Sequence, residues 1–245
     1  RNILVDPHFS ERASPVRFAG PKRINPPGIR FEDLPRIDAV LVSHNHYDHL
    51  DLSSLHRLWD AHRPRIITPL GNDAIIRADR PDIPVETGDW GAAFDLGRGL
   101  AVTIEPAQHW SARGAFDRMH ALWGSFVIES RWGKAWFAGD TGLGDGSVFR
   151  GIKTRHPLIH LGLIPIGAYE PRWFMRHQHV NPEDAVEIAR ILSLRHALGY
   201  HWGTFKLTNE AINQPPTDLA HALEVASIKA ERFIAMRPGG VWQAS

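Results

Sequence analysis

Ser43-His44-Asn45-His46-Tyr47-Asp48-His49 follows directly on an apolar run, Ala39-Val40-Leu41-Val42. Three imidazoles and a carboxylate fall within six residues, the donor types that zinc and similar divalent ions prefer. The apolar run predicts a buried strand, so the His-rich stretch is expected on a loop at the strand's carboxyl end. A loop can turn its side chains together, whereas a strand sends alternate ones to opposite faces. A solvated His-rich tract is the other reading of such a stretch. Three further positions decide between them. His109 follows the apolar run Ala101 to Glu105, Asp140 follows Ala135 to Ala138, and His201 follows Ala197 to Tyr200. Strand ends converging on one rim are how α/β sites are built.

Working outward, Ile3 to Val5, Ile66-Ile67, Leu122 to Glu129, Leu161 to Ile166 and Phe233 to Met236 also predict strands. Leu52 to Ala61 and Asn72 to Ala78 predict helices, as does about Thr217 to Ala226. The clearest helix begins at Asn181. Asn181 suits an N-cap, Pro182 the first helical position, and Glu183 and Asp184 the positive end of the dipole. Strands and helices alternate, but several strands read as hairpins. The expected architecture is α/β, two mixed sheets sandwiched between helices, in one domain over residues 1–245. From Phe9 to Arg30 the chain is rich in Pro, Gly and Arg, and a loop of that length is expected to serve function.

Composition narrows the class. The 245 residues are 43% apolar, enough for a sizeable core. The net charge of +1 makes no global case for nucleic acid or an acidic surface. With no cysteine, disulfides and thiolate metal sites are excluded. No apolar run approaches the ~20 residues a membrane helix needs. The 15 histidines exceed what packing asks for, and the 9 tryptophans are expected mostly in the core. His56, His62, His156 and His221 are expected on helices or the surface. The chain opens without Met on a strand-like segment, so N-terminal strands are expected to precede it. A cytoplasmic or peripheral-membrane protein is the corresponding expectation, with a homodimer as its possible assembly.

His44-x-His46-x-Asp48-His49 with His109, Asp140 and His201 resembles the metallo-β-lactamase superfamily. Leu4-Val5-Asp6-Pro7, Gly20-Pro21-Lys22-Arg23, Gln108-His109-Trp110, Pro165 to Met175, Gln178-His179-Val180 and His201 to Phe205 resemble more narrowly its N-acyl-phosphatidylethanolamine phospholipase D branch. The resemblance implies an αββα sandwich and two metal ions. It implies one site from His44, His46 and His109, a second from Asp48, His49 and His201, and Asp140 between them. Zinc is the first expectation, with iron or manganese also suited to nitrogen and oxygen donors. Two such ions can share one hydroxide at neutral pH, so no serine or cysteine nucleophile is needed.

Around the ligands, Asp48 and His179 are the expected catalytic residues, with His179 donating a proton to the leaving group or else capping the Asn181 helix. Tyr47, Arg113 and Gln178 are expected to bind substrate, Arg113 as a phosphate anchor. Asp6 either orients a ligand imidazole or only shapes the turn before Pro7. Trp173-Phe174-Met175, with Tyr169, Pro171, Trp59 and Trp110, is expected either to pack the core or to meet an acyl chain or membrane interface. The leading function is a phosphodiesterase acting on phospholipids. The alternatives are a lactonase or esterase of the same fold, and a non-catalytic envelope-associated metal-binding protein.

Overall fold

Period-2 side-chain alternation sorts the core into layers. In the strand Ala39–Leu41, Ala39 and Leu41 face one way and Val40 the other, and all three are fully buried. A strand buried on both faces needs a layer on each side. The computed structural model, which describes residues 1–244, supplies both. The first sheet runs β1 (Ile3–Val5), β2 (Ala39–Leu41), then β3 (Arg65–Pro69) and β4 (Val85–Gly88), in that spatial order. Helix α1 (Leu52–His62) links β2 to β3, and α2 (Asn72–Asp79) links β3 to β4. This sheet is parallel throughout, not mixed as expected. The connections between neighbouring strands are crossovers, which return the chain to the same end before each new strand begins.

The second sheet is mixed and has seven strands. Its antiparallel part is β5 (Ala93–Gly97), β6 (Leu100–Glu105), β7 (Ser125–Ser130) and β8 (Gly133–Phe137). Its parallel part continues from β8 through β9 (Ile159–Pro165), β10 (His196–Tyr200) and β11 (Phe233–Ala235). Between β8 and β9 lies α3 (Ser147–Arg155). Between β9 and β10 lie the single turn α4 (Arg172–Met175) and α5 (Pro182–Leu192), and α6 (Gln214–Val225) precedes β11.

Ala39, Leu41 and Ile67 of the first sheet meet Val102, Ile104, Phe126 and Phe137 of the second. Val40 and Ile66 turn outward onto Leu55, Leu58 and Ile76 of α1 and α2. Val127 and Trp136 turn outward onto Phe149, Ile188 and Leu219 of α3, α5 and α6. The result is the expected helix–sheet–sheet–helix sandwich. In α5 the Asn181 side chain accepts from the Asp184 amide at 2.9 Å, with Pro182 opening the helix, as its N-terminal residues predict.

Strands β4 and β5 and helix α3 have no strong sequence signal. The two strands are short and flanked by glycine, and α3 carries Gly151, which costs a helix about 1 kcal/mol relative to alanine. Tertiary burial of Phe149 and Ile152 holds α3 instead. The tryptophans also depart from expectation. Trp136 alone of the nine is fully buried, and Trp90, Trp132 and Trp173 are exposed. An indole buries well only where its N–H finds an acceptor, as Trp136 does at Ser125 Oγ. No helix among the described residues is long and apolar enough to cross a membrane.

The layer assignment predicts a contrast in stability. Phe126→Ala empties a wholly buried site between the sheets and should destabilise by about 3–5 kcal/mol. Phe116→Ala, at a side chain 93% exposed, should stay within about 0.5 kcal/mol. Urea midpoints at unchanged slope measure both.

Candidate metal centre

Four strands deliver the chemistry, each just past its carboxyl end. His44, His46, Asp48 and His49 follow β2, His109 follows β6, Asp140 follows β8 and His201 follows β10. The fold brings all seven together. One group is His44, His46 and His109; the other is Asp48, His49, Asp140 and His201. In each group one ligand atom per residue lies within 4.8 Å of the others.

The outer ring atoms of three imidazoles show what the inner ones offer. Asp6 accepts hydrogen bonds from Ser43 N at 2.7 Å, Ser43 Oγ at 2.6 Å and His49 Nδ1 at 2.6 Å. Having given its only hydrogen to Asp6, the Ser43 hydroxyl accepts from His44 Nδ1 at 2.9 Å. The carbonyl of Gln178 accepts from His109 Nδ1 at 2.9 Å. With Nδ1 holding the proton in the neutral ring, each of these histidines turns a bare Nε2 inward. Two of those nitrogens, on His44 and His109, lie 2.9 and 3.2 Å from His46 Nδ1. One N–H on His46 can satisfy only one of them. Nitrogens at about 3.3 Å from one another are what a tetrahedral zinc with bonds of ~2.0–2.1 Å requires.

The second group is equally rich in acceptors. His49 Nε2 lies 3.2 Å from His201 Nε2, 3.1 Å from Asp140 Oδ2 and 3.4 Å from Asp48 Oδ2. His201 Nε2 lies 3.1 Å from Asp48 Oδ2 and 3.4 Å from Asp140 Oδ1. Asp140 Oδ2 also approaches His109 Nε2 at 3.9 Å, so this carboxylate stands between the groups.

Titration follows the same division. Burial holds the His44 and His109 imidazoles well below their ordinary value, which keeps them neutral. Burial acts on His49 too, but Asp140 and Asp48 overcome it and lift that imidazole well above the ordinary value. His201 is raised in the same way, against burial, chiefly by Asp140. Asp48 and Asp140 are held well below the carboxylate range despite burial, the one mainly by His49 and the other by His201 and His49. A dry cluster that attracts protons this strongly suits a divalent cation, which displaces them. Five imidazoles, two carboxylates and no thiolate fit zinc, iron or manganese.

The surrounding residues divide. His179 lies beside the cluster, its Nδ1 3.9 Å from Asp140 Oδ2 and without a hydrogen-bond partner among the described residues. Burial pushes it down to about 4, against Asp140, so it is a neutral imidazole at pH 7. Gln178 touches Met175 with its side chain, and its backbone carbonyl aims His109. Tyr47 and Arg113 are engaged with each other and with the ligand loop. The Tyr47 hydroxyl donates to the Arg113 carbonyl at 2.9 Å, and the guanidinium lies 4.0 Å from the Tyr47 ring centroid. Arg113 Nη1 donates to the carbonyls of Asn45 at 2.9 Å and Leu50 at 2.8 Å, at either end of the ligand loop. Arg113, expected to hold a phosphate, thus braces the loop.

Trp110 packs edge-on against His46 at 4.6 Å, whereas Trp59 packs with α1 and α2. Tyr169 is buried with its hydroxyl on Asp218 at 2.6 Å. Trp173 and Phe174 are 76% and 56% exposed, four to six residues before Gln178 and His179. Nothing in the spacing of the ligand stretch gives Ser43 a role of its own. The role comes from the fold's placing Asp6 opposite it, 37 residues away in sequence.

Known proteins resemble this chain in sequence and in fold. A family model described as a beta-lactamase superfamily domain matches residues 1–202. The chain is 37% identical over 255 aligned positions to N-acyl-phosphatidylethanolamine-hydrolyzing phospholipase D 1 of Caenorhabditis elegans, covering 99% of this chain and 71% of that one. It is 34% identical to the mitochondrial N-acyl-phosphatidylethanolamine-hydrolyzing phospholipase D of Saccharomyces cerevisiae, covering 93% of this chain. The match spans only 49% of the yeast protein. Among solved structures, an isothiocyanate hydrolase from Delia radicum gut bacteria superposes with a TM-score of 0.73 at 18% identity, covering 97% of this chain and 90% of that one, which shows the fold.

Asp6 offers a test that leaves every inner atom in place. Asp6→Ala frees the His49 ring directly and the His44 ring through Ser43. Metal affinity should fall about 10–100-fold, read by competition with a chelator of known affinity. Unchanged affinity would mean that Asp6 only shapes the turn.

Proposed function

The chain is a metal-dependent hydrolase of the beta-lactamase superfamily, in its N-acyl-phosphatidylethanolamine-hydrolysing phospholipase D branch, and from that premise we propose that it cleaves phosphodiesters of N-acyl-phosphatidylethanolamine-like lipids. The observation that carries this reading is the pair of adjoining donor groups with Asp140 between them. In this reading His44, His46 and His109 would hold one divalent ion, and Asp48, His49 and His201 a second, with Asp140 able to serve either. Ions so held would supply a nucleophile from water near neutral pH and would neutralise charge that builds on a phosphoryl group.

The protein's own residues supply the rest. Asp6 and Ser43 fix two of the imidazoles, and the Gln178 carbonyl fixes a third. Arg113 and Tyr47 keep the ligand loop from opening. His179, neutral and with a free buried nitrogen beside Asp140, hydrogen-bonds the leaving oxygen as it takes up charge. Trp173 and Phe174 stand exposed just before it in the chain, where they suit an acyl chain or a lipid surface. No residue in this scheme needs to act as a covalent nucleophile. The products are phosphatidic acid and an N-acylethanolamine.

Three measurements test the scheme. Purified protein should hold close to two divalent ions per chain, and activity should vanish on chelation and return with metal. Cleavage in ¹⁸O-labelled water should place the label in the phosphate product. Label in the ethanolamide hydroxyl would mean attack at carbon, and a lactone opened with no phosphodiester cleaved would overturn the lipid reading. His179→Ala should lower kcat by about 10²–10⁴-fold with the metals retained. The loss should shrink when p-nitrophenolate, which needs no help to leave, replaces the natural alcohol. Equal losses on both substrates would assign His179 a structural role.

A further inference from the structure

We infer that Gly167, clamped by Glu210, is the positioning residue for His201, setting by backbone contact what hydrogen bonds set for His44, His49 and His109. The inference rests on the reading of His201 as a metal ligand. His44, His49 and His109 each have an outer ring nitrogen tied to a partner. His201 Nδ1 has none among the described residues. Its ring direction therefore comes from the main chain, which is unusual there. His201 has φ of +62°, in the left-handed region that side chains rarely occupy. Such a conformation persists only where the surroundings impose it.

Gly167 imposes it. A Cβ built on Gly167 would lie 2.1 Å from the His201 carbonyl oxygen and 3.3 Å from Trp202 Cβ. No real Cβ tolerates less than about 3.0 Å, so any side chain here pushes the His201 peptide back by about an ångström. Gly167 cannot retreat instead. On one side Ile166 N donates to the Tyr200 carbonyl at 2.9 Å, continuing the pairing of β9 with β10. On the other side the Glu210 carboxylate accepts from Ala168 N at 2.7 Å and from Glu170 N at 3.1 Å. Thr208 Oγ1 donates to the same carboxylate at 2.7 Å and fixes its direction. Glu210 thus ties the segment after β9 to the segment after β10, with the His201 peptide pressed between them. A ligand atom must sit within about 0.2 Å of its ideal distance, so a shift of this size releases it.

The test is a calorimetric titration of metal-depleted protein with Zn²⁺, with His201→Ala as the reference that identifies the binding step belonging to His201. Gly167→Ala should weaken that step by about 10–100-fold and leave the other step as in the parent. The melting temperature of the metal-depleted protein separates this from general damage, which would lower it and weaken both steps together. Glu210→Gln keeps the size of the side chain but turns an amide N–H toward a backbone N–H. It should weaken the same step to a smaller degree, and it carries the test if Gly167→Ala does not fold. Two parental binding steps in whichever folded variant is measured would overturn the clamp and leave the metal reading intact. A parent protein that shows no two-step binding would overturn both.

Discussion

Unshared electron pairs crowded into a dry space are what the rest of this structure has to hold. Five imidazoles and two carboxylates point their acceptors at a region a few ångströms across. Like partial charges at such distances repel, and little water is present to weaken the repulsion. Positive charge must answer it, as protons on His49 and His201 or as metal. Left free, the side chains would turn away to solvent. The protein prevents this for three imidazoles by fixing them from behind: Asp6 acts on His49 and, through Ser43, on His44, while Gln178 acts on His109.

The sandwich makes that fixation possible. Strands β2, β6, β8 and β10 end at the same rim, so their carboxyl-end loops can be short and their side chains convergent. The layers beneath are packed with fully buried residues such as Leu41, Ile67, Phe126 and Trp136. Close-packed interiors are barely compressible, which gives the rim a rigid base. The ligand loop itself has little regular structure, and Arg113 closes it by bonding carbonyls at residues 45 and 50. A single planar guanidinium can do this while stacking on Tyr47, and lysine could not.

In the proposed function, substrate contact falls to what lies outside this frame. His179 faces the cluster with a nitrogen that no group among the described residues claims, and Trp173 and Phe174 are exposed close by in the chain. A rigid polar centre bordered by exposed aromatic side chains suits a molecule with a charged group to be cut and an apolar body to be held.

The sequence by itself determined the donor set and the layers. His44, His46, Asp48 and His49 are adjacent, and His109, Asp140 and His201 each come soon after an apolar run, the pattern of donors placed at strand ends. The full burial of β2 follows equally from its unbroken apolar run, and the cap of α5 from Asn181 and Pro182. Only the tertiary structure decided that the first sheet is wholly parallel, because pairing depends on how crossovers pack. It alone showed Arg113 bonding the carbonyls at both ends of the ligand loop and gave the Gln178 main chain a task its side chain does not share. It also left most of the tryptophans outside the core. In each of these cases the deciding partner is a backbone atom or a residue remote in sequence. Side-chain type and spacing carry information about neighbours along the chain, and such partners are neighbours only after folding.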